Sequence, residues 1–396
     1  MAARLLYGSS MTTSSNPFEA KARDLLRDAP LIDGHNDLAY ALRMQAGLRT
    51  SAVDLRQPQP PLDTDIPRLL AGAVGGQFWS VWVPADLPEP DAVLQALEQM
   101  DVVHGFIERY PETFALATTA DEVEAVFASG RIASLLGLEG GNMIGSSLPA
   151  LRNAYARGVR YMTLTHWLTT RWADAATDAP RHGGLTAYGR EVVREMNRLG
   201  MLVDLSHVSP ATMAAALDIT EAPVIFSHSG ALAVCDHPRN VPDEILRRVT
   251  ANGGVVMAVF LSGFVSQAVR DHGRQIETDD DNTRRSWLAE NPGPSAKLSQ
   301  VADHIDHLRD VAGIDHVGIG SDFDGGEFLP EGLTDVSRFP ALLGELLRRG
   351  YSDDDVRKVA GGNLLRTLRG AEAVALRLQA ERAPSEATIE ELDGPG

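Results

Sequence analysis

The sequence predicts a single (β/α)₈ barrel, TIM-like and somewhat distorted, with long loops over the C-terminal face of its strands. Three observations predict it. Short apolar or β-branched runs alternate with helically periodic stretches along the chain, and neither a low-complexity linker nor a repeat of 20 to 50 residues divides it. Near-continuous apolar strands between helices belong to parallel sheets buried on both faces, and about eight such units close most naturally into a barrel. Most of the predicted strands end, at their C-terminal side, in His, Asp or Glu, and that edge is where barrel enzymes carry chemistry.

Taken in order, the strand candidates are 31–35, 73–83, 132–138, 159–165, 201–206, 224–227, 254–260 and 316–320. Helical periodicity marks 92–106, 120–127, 188–199, 209–217, 242–250 and 299–312. The long polar connections 41–62, 167–186 and 262–298 are expected above the barrel as lids or specificity loops. Residues 1–16, rich in Ser and Thr, are expected to be disordered, 17–382 to form the one (β/α)₈ domain, and 383–396 to be an acidic flexible tail. A doubly wound open sheet is the competing architecture, but the glycine fingerprint such folds often carry is absent.

Composition narrows the partners. At 44% hydrophobic and 23% charged residues the chain has ordinary globular usage, and its 396 residues can bury a large core. The formal charge of −18 would repel phosphate backbones and anionic lipid, so nucleic acid and membrane are not expected as partners. The longest apolar stretch, 253–265, is well short of the ~18 residues a membrane helix needs. The first residues lack the apolar core of a secretory signal and the last lack a lipid-anchor signal, so a cytoplasmic location is expected. The single cysteine, Cys235, is expected to be an inert thiol. For assembly there is only the general expectation of a homodimer.

The strand ends supply a metal-ligand set. In an extended chain residues two apart point the same way, so His35 and Asp37 can serve one ion. Glu139 ends the third candidate strand, His207 follows the fifth, His228 ends the sixth and Asp322 the eighth. Imidazole and carboxylate without thiolate suit Zn²⁺, or Co²⁺ or Mn²⁺. Three histidines and at least two carboxylates exceed the needs of one catalytic zinc, so two ions sharing a carboxylate fit better. The three lysines, Lys21, Lys297 and Lys358, lie away from the strand ends, so a carbamylated lysine cannot be the bridge; Glu139 is best placed for it.

Asp33 and Asp204 could be partners that hold imidazole tautomers, or merely structural. Asp324 would face the way Asp322 does if the strand continued, but Gly325 and Gly326 suggest a turn, and Asp322 is preferred. His104, His182, His272, His304, His307 and His316 are expected to be ordinary core or surface groups. No Gly-x-Ser-x-Gly and no Gly-Lys pair occurs, which argues against a serine hydrolase of that type and a P-loop enzyme.

Seven motifs in order carry a resemblance: Asp-Gly-His-Asn-Asp at 33–37, Gly-Leu-Glu-Gly-Gly at 137–141, Leu-Thr-His at 164–166, Asp-Leu-Ser-His at 204–207, Phe-Ser-His-Ser at 226–229, Asp-His-Pro-Arg-Asn at 236–240 and Gly-Ser-Asp-Phe-Asp-Gly at 320–325. From about residue 30 to 365 the chain resembles the renal (membrane) dipeptidase family of binuclear zinc peptidases, in the amidohydrolase superfamily. The resemblance implies that His35, Asp37 and Glu139 hold one zinc and Glu139, His207 and His228 the other. It further implies that His166 stabilises the oxyanion, Arg239 grips the substrate's terminal carboxylate, and Asp322 moves the proton from the bridging hydroxide to the departing amine. The implied activity is hydrolysis of dipeptides, L-Xaa-L-Xaa and L-Xaa-D-Xaa, by a hydroxide bridging two Zn²⁺ ions; some members also open β-lactams. The resemblance does not extend to the signal peptide, disulfides and lipid anchor of the secreted animal members, none of which is expected here. The alternatives are another amidohydrolase, acting on N-acyl amino acids, lactams or lactones, and a silent barrel kept as a binding protein.

Overall fold

Among the described residues nine parallel strands carry the architecture: β1 (Leu31–Asn36), β2 (Val74–Val81), β3 (Phe114–Leu116), β4 (Ile132–Glu139), β5 (Val159–Thr163), β6 (Leu202–Asp204), β7 (Ile225–Ser229), β8 (Val255–Ala258) and β9 (Val317–Ile319). The computed structural model describes residues 16–276, 283, 286–287, 290–326 and 328–394. The strands are hydrogen-bonded in the order β2-β1-β9-β8-β7-β6-β5-β4, and β2 pairs again with β4, so eight of them close a barrel. This is the predicted (β/α)₈ fold. It is distorted as expected: the register slips within the β1–β2, β4–β5 and β7–β8 pairs, and β1–β9 and β6–β7 each share a single residue pair.

β3 was not foreseen. It pairs with residues 132–134 of β4, while β5 pairs with 136–139 of the same strand, so this three-residue segment fills the edge that β5 leaves open. Such a short strand has no periodicity to read, and only its pairing partner defines it.

Residue chemistry sets the element boundaries. Thr119, Ser147, Thr186 and Ser209 cap the helices Ala120–Ala128, Leu148–Ala156, Ala187–Leu199 and Pro210–Leu217 by accepting a backbone N–H two or three positions on. Gly200 and Gly253 end the Ala187–Leu199 and Asp243–Asn252 helices in the left-handed conformation. Inside the barrel Ile32, Phe78, Leu135, Tyr161, Ile225, Val255 and Met257 form one apolar cluster, and Leu364, Leu365 and Leu368 of the helix Asn363–Glu381 join it at the end where the strands begin. The opposite end, where the strands finish, is therefore the one left for chemistry.

The long connections and the tail carry structure of their own. The segments expected as loops contain helix: Leu38–Ala46 enters the first, and Ser262–Val265 and Gln267–Gly273 lie in the third. The part of the tail described is docked rather than free. Ile389 is buried, Ser385 receives Arg152 on its carbonyl and gives its N–H to Glu195, and Asp393 accepts the Tyr188 N–H. Ile389 and partners on the Leu148–Ala156 and Ala187–Leu199 helices hold this otherwise acidic segment. The expectation for 1–16 falls outside the described residues except for Asn16, whose side chain accepts the Phe18 N–H at the start of the helix Pro17–Leu25. Among the described residues no helix is long and apolar enough to cross a membrane.

Candidate metal centre

Glu139, the last residue of β4, is the hub of the site. It is 4% exposed, and its two oxygens face different neighbours. Oε1 lies 3.0 Å from His207 Nε2, 3.4 Å from His228 Nε2 and 3.6 Å from His166 Nε2. Oε2 lies 3.4 Å from His35 Nε2 and accepts the Ser80 hydroxyl at 3.0 Å. His35 Nε2 is in turn 3.3 Å from Asp37 Oδ2 and 3.9 Å from Asp322 Oδ1. Among the described residues three triplets of donor atoms lie close enough to share an ion: His35 with Glu139 and His228, Glu139 with His166 and His207, and His35 with Asp37 and Asp322. The structure thus gathers His35, Asp37, Glu139, His166, His207, His228 and Asp322 around one carboxylate.

Several of them arrive differently from the way strand alternation suggested. Only His35, Glu139 and His228 lie in strands; Asp37 is the first residue after β1, at φ −96°, where it precedes the Leu38–Ala46 helix and its N–H donates to the Phe323 carbonyl. The idea that His35 and Asp37 share a direction along an extended strand is therefore replaced by a turn that brings Asp37 back beside His35. His207 and Asp322 lie three residues beyond their strands with φ of 66° and 67°, a backbone conformation costly for side chains with a Cβ. Asp324 shares that conformation but turns away, accepting the Asp63 N–H at 2.7 Å, so Asp322 is the one beside the cluster.

The donor atoms fit cations. His228 Nδ1 lies 2.8 Å from Ser227 Oγ, whose own proton goes to Asp204 at 2.6 Å, so the imidazole donates from Nδ1 and leaves a bare lone pair on Nε2. That lone pair lies 3.0 Å from His207 Nε2 and 3.4 Å from Glu139 Oε1, so three donor atoms crowd together as the ligands of one cation would. His35 Nε2 is buried and makes no hydrogen bond. Burial by itself depresses the His35 imidazole, yet Tyr161, Glu139 and Asp37 outweigh it and raise it well above its ordinary value. Burial, reinforced by the nearby Arg239 charge, holds His166 and His207 well below theirs, so both are neutral imidazoles.

Asp33 and Asp204 play different parts. Asp204 reaches His228 through Ser227, a relay that fixes the imidazole tautomer. Asp33 touches no imidazole; it takes Ser321 N–H and Oγ, each at 2.7 Å, and Gln77 Nε2 at 2.9 Å, and so anchors the turn that presents Asp322. Six other histidines are occupied as expected: His104, His182, His272 and His316 bond backbone carbonyls, His304 bonds Ala231 and Val265, and His307 pairs with Asp243.

Arg239 is 1% exposed, spends one N–H on the His228 carbonyl at 3.3 Å, and leaves Nε and Nη1 without partners. Burial lowers its pKa to about 10, still leaving it charged at neutral pH, so it is a buried cation with two free donors, suited to an anion.

Sequence reasoning missed Tyr161. Its hydroxyl meets His35 Nδ1 at 2.8 Å from within the barrel. It stands opposite Gly137 across β4 and β5, where any Cβ would lie inside the tyrosine ring. A glycine in the middle of an apolar strand was the signal available.

Comparisons with known proteins agree in kind. Residues 19–382 match the family model for membrane dipeptidase (Peptidase family M19). A curated relative, Dipeptidase verJ of Clonostachys rogersoniana, is 43% identical over 371 residues, covering 91% of this chain and 89% of that protein. In fold the chain is similar to the probable dipeptidase PvdM of Pseudomonas aeruginosa, at TM-score 0.80 and 23% identity over 91% of this chain and 100% of that one. It is also similar to a metallo peptidase of Rhodobacter sphaeroides, liganded with a phosphinate mimic of the dipeptide L-Ala-D-Ala, at TM-score 0.75 and 26% identity over 87% of this chain and 99% of that one.

Proposed function

We propose that this chain, which belongs to the membrane dipeptidase family, peptidase family M19, is a dipeptidase that uses two Zn²⁺ ions and accepts both L-Xaa-L-Xaa and L-Xaa-D-Xaa. One observation carries the two-ion reading: a single buried carboxylate, Glu139, turns one oxygen to His207 and His228 and the other to His35, which itself lies beside Asp37. His35 and Asp37 would share one ion with Glu139, and His207 and His228 the other. When bound, the ions would polarise the peptide carbonyl and supply a water nucleophilic at neutral pH. Tolerance of a D-residue is supported by the ligand of the Rhodobacter sphaeroides relative.

The remaining work falls to the chain's own groups. His166, kept neutral by burial, would donate a hydrogen bond to the oxygen on which charge develops. Asp322 would take the proton of the attacking water and hand it to the departing amine nitrogen. Arg239 would use its two free donors on the substrate carboxylate. A carboxylate receptor at a fixed distance from the reacting carbonyl admits one residue beyond the scissile bond and turns binding energy into positioning.

The test is release of free amino acids from a pool of L,L and L,D dipeptides by the zinc-reconstituted protein and by the metal-stripped protein. N-acetyl amino acids are the control arm, because they carry the same carboxylate without a free amine. Zinc-dependent cleavage of dipeptides is expected; cleavage of the N-acetyl arm alone would make the chain another kind of amidohydrolase.

Two variants probe supporting roles. Arg239→Ala should raise KM for free-acid dipeptides while kcat changes less, since a contact present before and during reaction is lost. Equal turnover of free-acid and C-terminally amidated dipeptides by the wild type would remove the clamp. Tyr161→Phe deletes the partner of His35 Nδ1 and should weaken zinc binding by roughly 10- to 100-fold, read by competition with a chelator. Unchanged affinity would reduce Tyr161 to packing.

A further inference from the structure

We propose that Trp167 selects the side chain of the substrate's C-terminal residue, favouring large apolar and aromatic residues there, an inference that rests on the dipeptidase reading above. Trp167 directly follows His166, and its indole stands edge-on to two imidazoles of the centre, 5.1 Å from His166 and 5.2 Å from His207 between ring centroids. It is nonetheless 43% exposed, and its neighbour Leu168 is 41% exposed. An indole left half in water beside a reacting centre is apolar surface that a ligand can cover.

The segment that presents it is held firmly. The Trp167 carbonyl accepts the Thr177 hydroxyl at 2.8 Å, and Asp178 accepts the Thr169 N–H at 2.9 Å. Asp174, buried beneath, collects the N–H groups of Arg181, His182 and Gly184, while the Ala176 N–H donates to the His207 carbonyl at 2.7 Å. A wall already fixed in place costs little ordering entropy when a side chain packs on it.

Ring contacts assign the position. Trp167 follows β5, one strand from β2 and one from β7, but its ring meets His207, which lies 5.0 Å from the His228 ring whose backbone carbonyl holds Arg239, whereas the other aromatic wall, Tyr40 against Trp82 at 4.4 Å, follows β1 and β2 and meets the centre at His166. A dipeptide whose carboxylate lies on Arg239 has its C-terminal residue on the β5–β7 side, toward Trp167. Its N-terminal residue extends toward β1 and β2, toward Tyr40 and Trp82.

The experiment compares Trp167→Ala and Trp167→Phe with the wild type on L-Ala-L-Phe, L-Ala-Gly, L-Phe-L-Ala and L-Ala-L-Ala. In Trp167→Ala the preference for Ala-Phe over Ala-Gly, as a ratio of kcat/KM, should fall on the order of tenfold and through KM. Trp167→Phe should keep most of that preference. An unchanged ratio overturns the proposal, and so does a loss that falls on Phe-Ala relative to Ala-Ala, which would place the N-terminal residue on Trp167. Absence of turnover by the wild type strikes the dipeptidase reading instead. Calorimetric binding of the same dipeptides to the zinc-loaded proteins then decides: discrimination between Ala-Phe and Ala-Gly that disappears in Trp167→Ala supports the wall, and equal or absent binding overturns it.

Discussion

Glu139→Gln is expected to yield a folded barrel that binds zinc about 10²- to 10³-fold more weakly, the scale set by removing one charged partner from a buried ion cluster. The amide matches the carboxylate in shape but carries no charge, and one of its ends is a donor. Turned either way, that donor replaces an oxygen that faces imidazole nitrogens, at Oε1 or at Oε2. Both ions should be affected together, because each group of ligands loses the same shared residue. Metal-free stability should not suffer: burial raises the Glu139 pKa, so the fold gains nothing from its charge. Zinc content after dialysis against a weak chelator, with thermal unfolding of the stripped proteins, checks both halves. Retention of two ions at wild-type affinity would remove Glu139 as the bridge.

Asp322→Asn should do the reverse, keeping the metals and losing the reaction. Asn tolerates the left-handed backbone that Asp322 adopts, so the hydrogen bond from its N–H to the His35 carbonyl should survive. What disappears is a group able to accept and release a proton, and turnover should drop by at least ~10² with KM little altered. Burial pushes the Asp322 carboxyl well above its ordinary range, as suits a group that must take up a proton near neutral pH. Steady-state kinetics beside metal analysis reads both quantities. Full activity in a metal-replete Asp322→Asn protein would take Asp322 out of the mechanism.

The barrel was legible because parallel strands are buried on both faces and so appear as apolar runs, as in Ile132–Glu139, buried at every position. The cluster was legible because a polar residue ending such a run has little structural reason to be there. Less could be read once the chain left the strand. Asp37, His207 and Asp322 reach the centre through turns whose geometry depends on distant partners, such as Asp33 holding Ser321. The 167–186 segment showed only as polar connection, because its shape depends on one buried carboxylate, Asp174, gathering amides seven to ten residues away. Tyr161 was hidden for another reason: a tyrosine in a buried strand looks like core, and its polar end acquires a role only once β1 closes beside it.

Stepwise zinc titration of the metal-stripped protein, with hydrolysis of a single dipeptide followed at each addition, reads whether Glu139 joins two ions into one catalytic centre. Activity should stay low through the first equivalent, rise with the second and level off at two. Full activity at one equivalent, or hydrolysis that persists without metal, would contradict it.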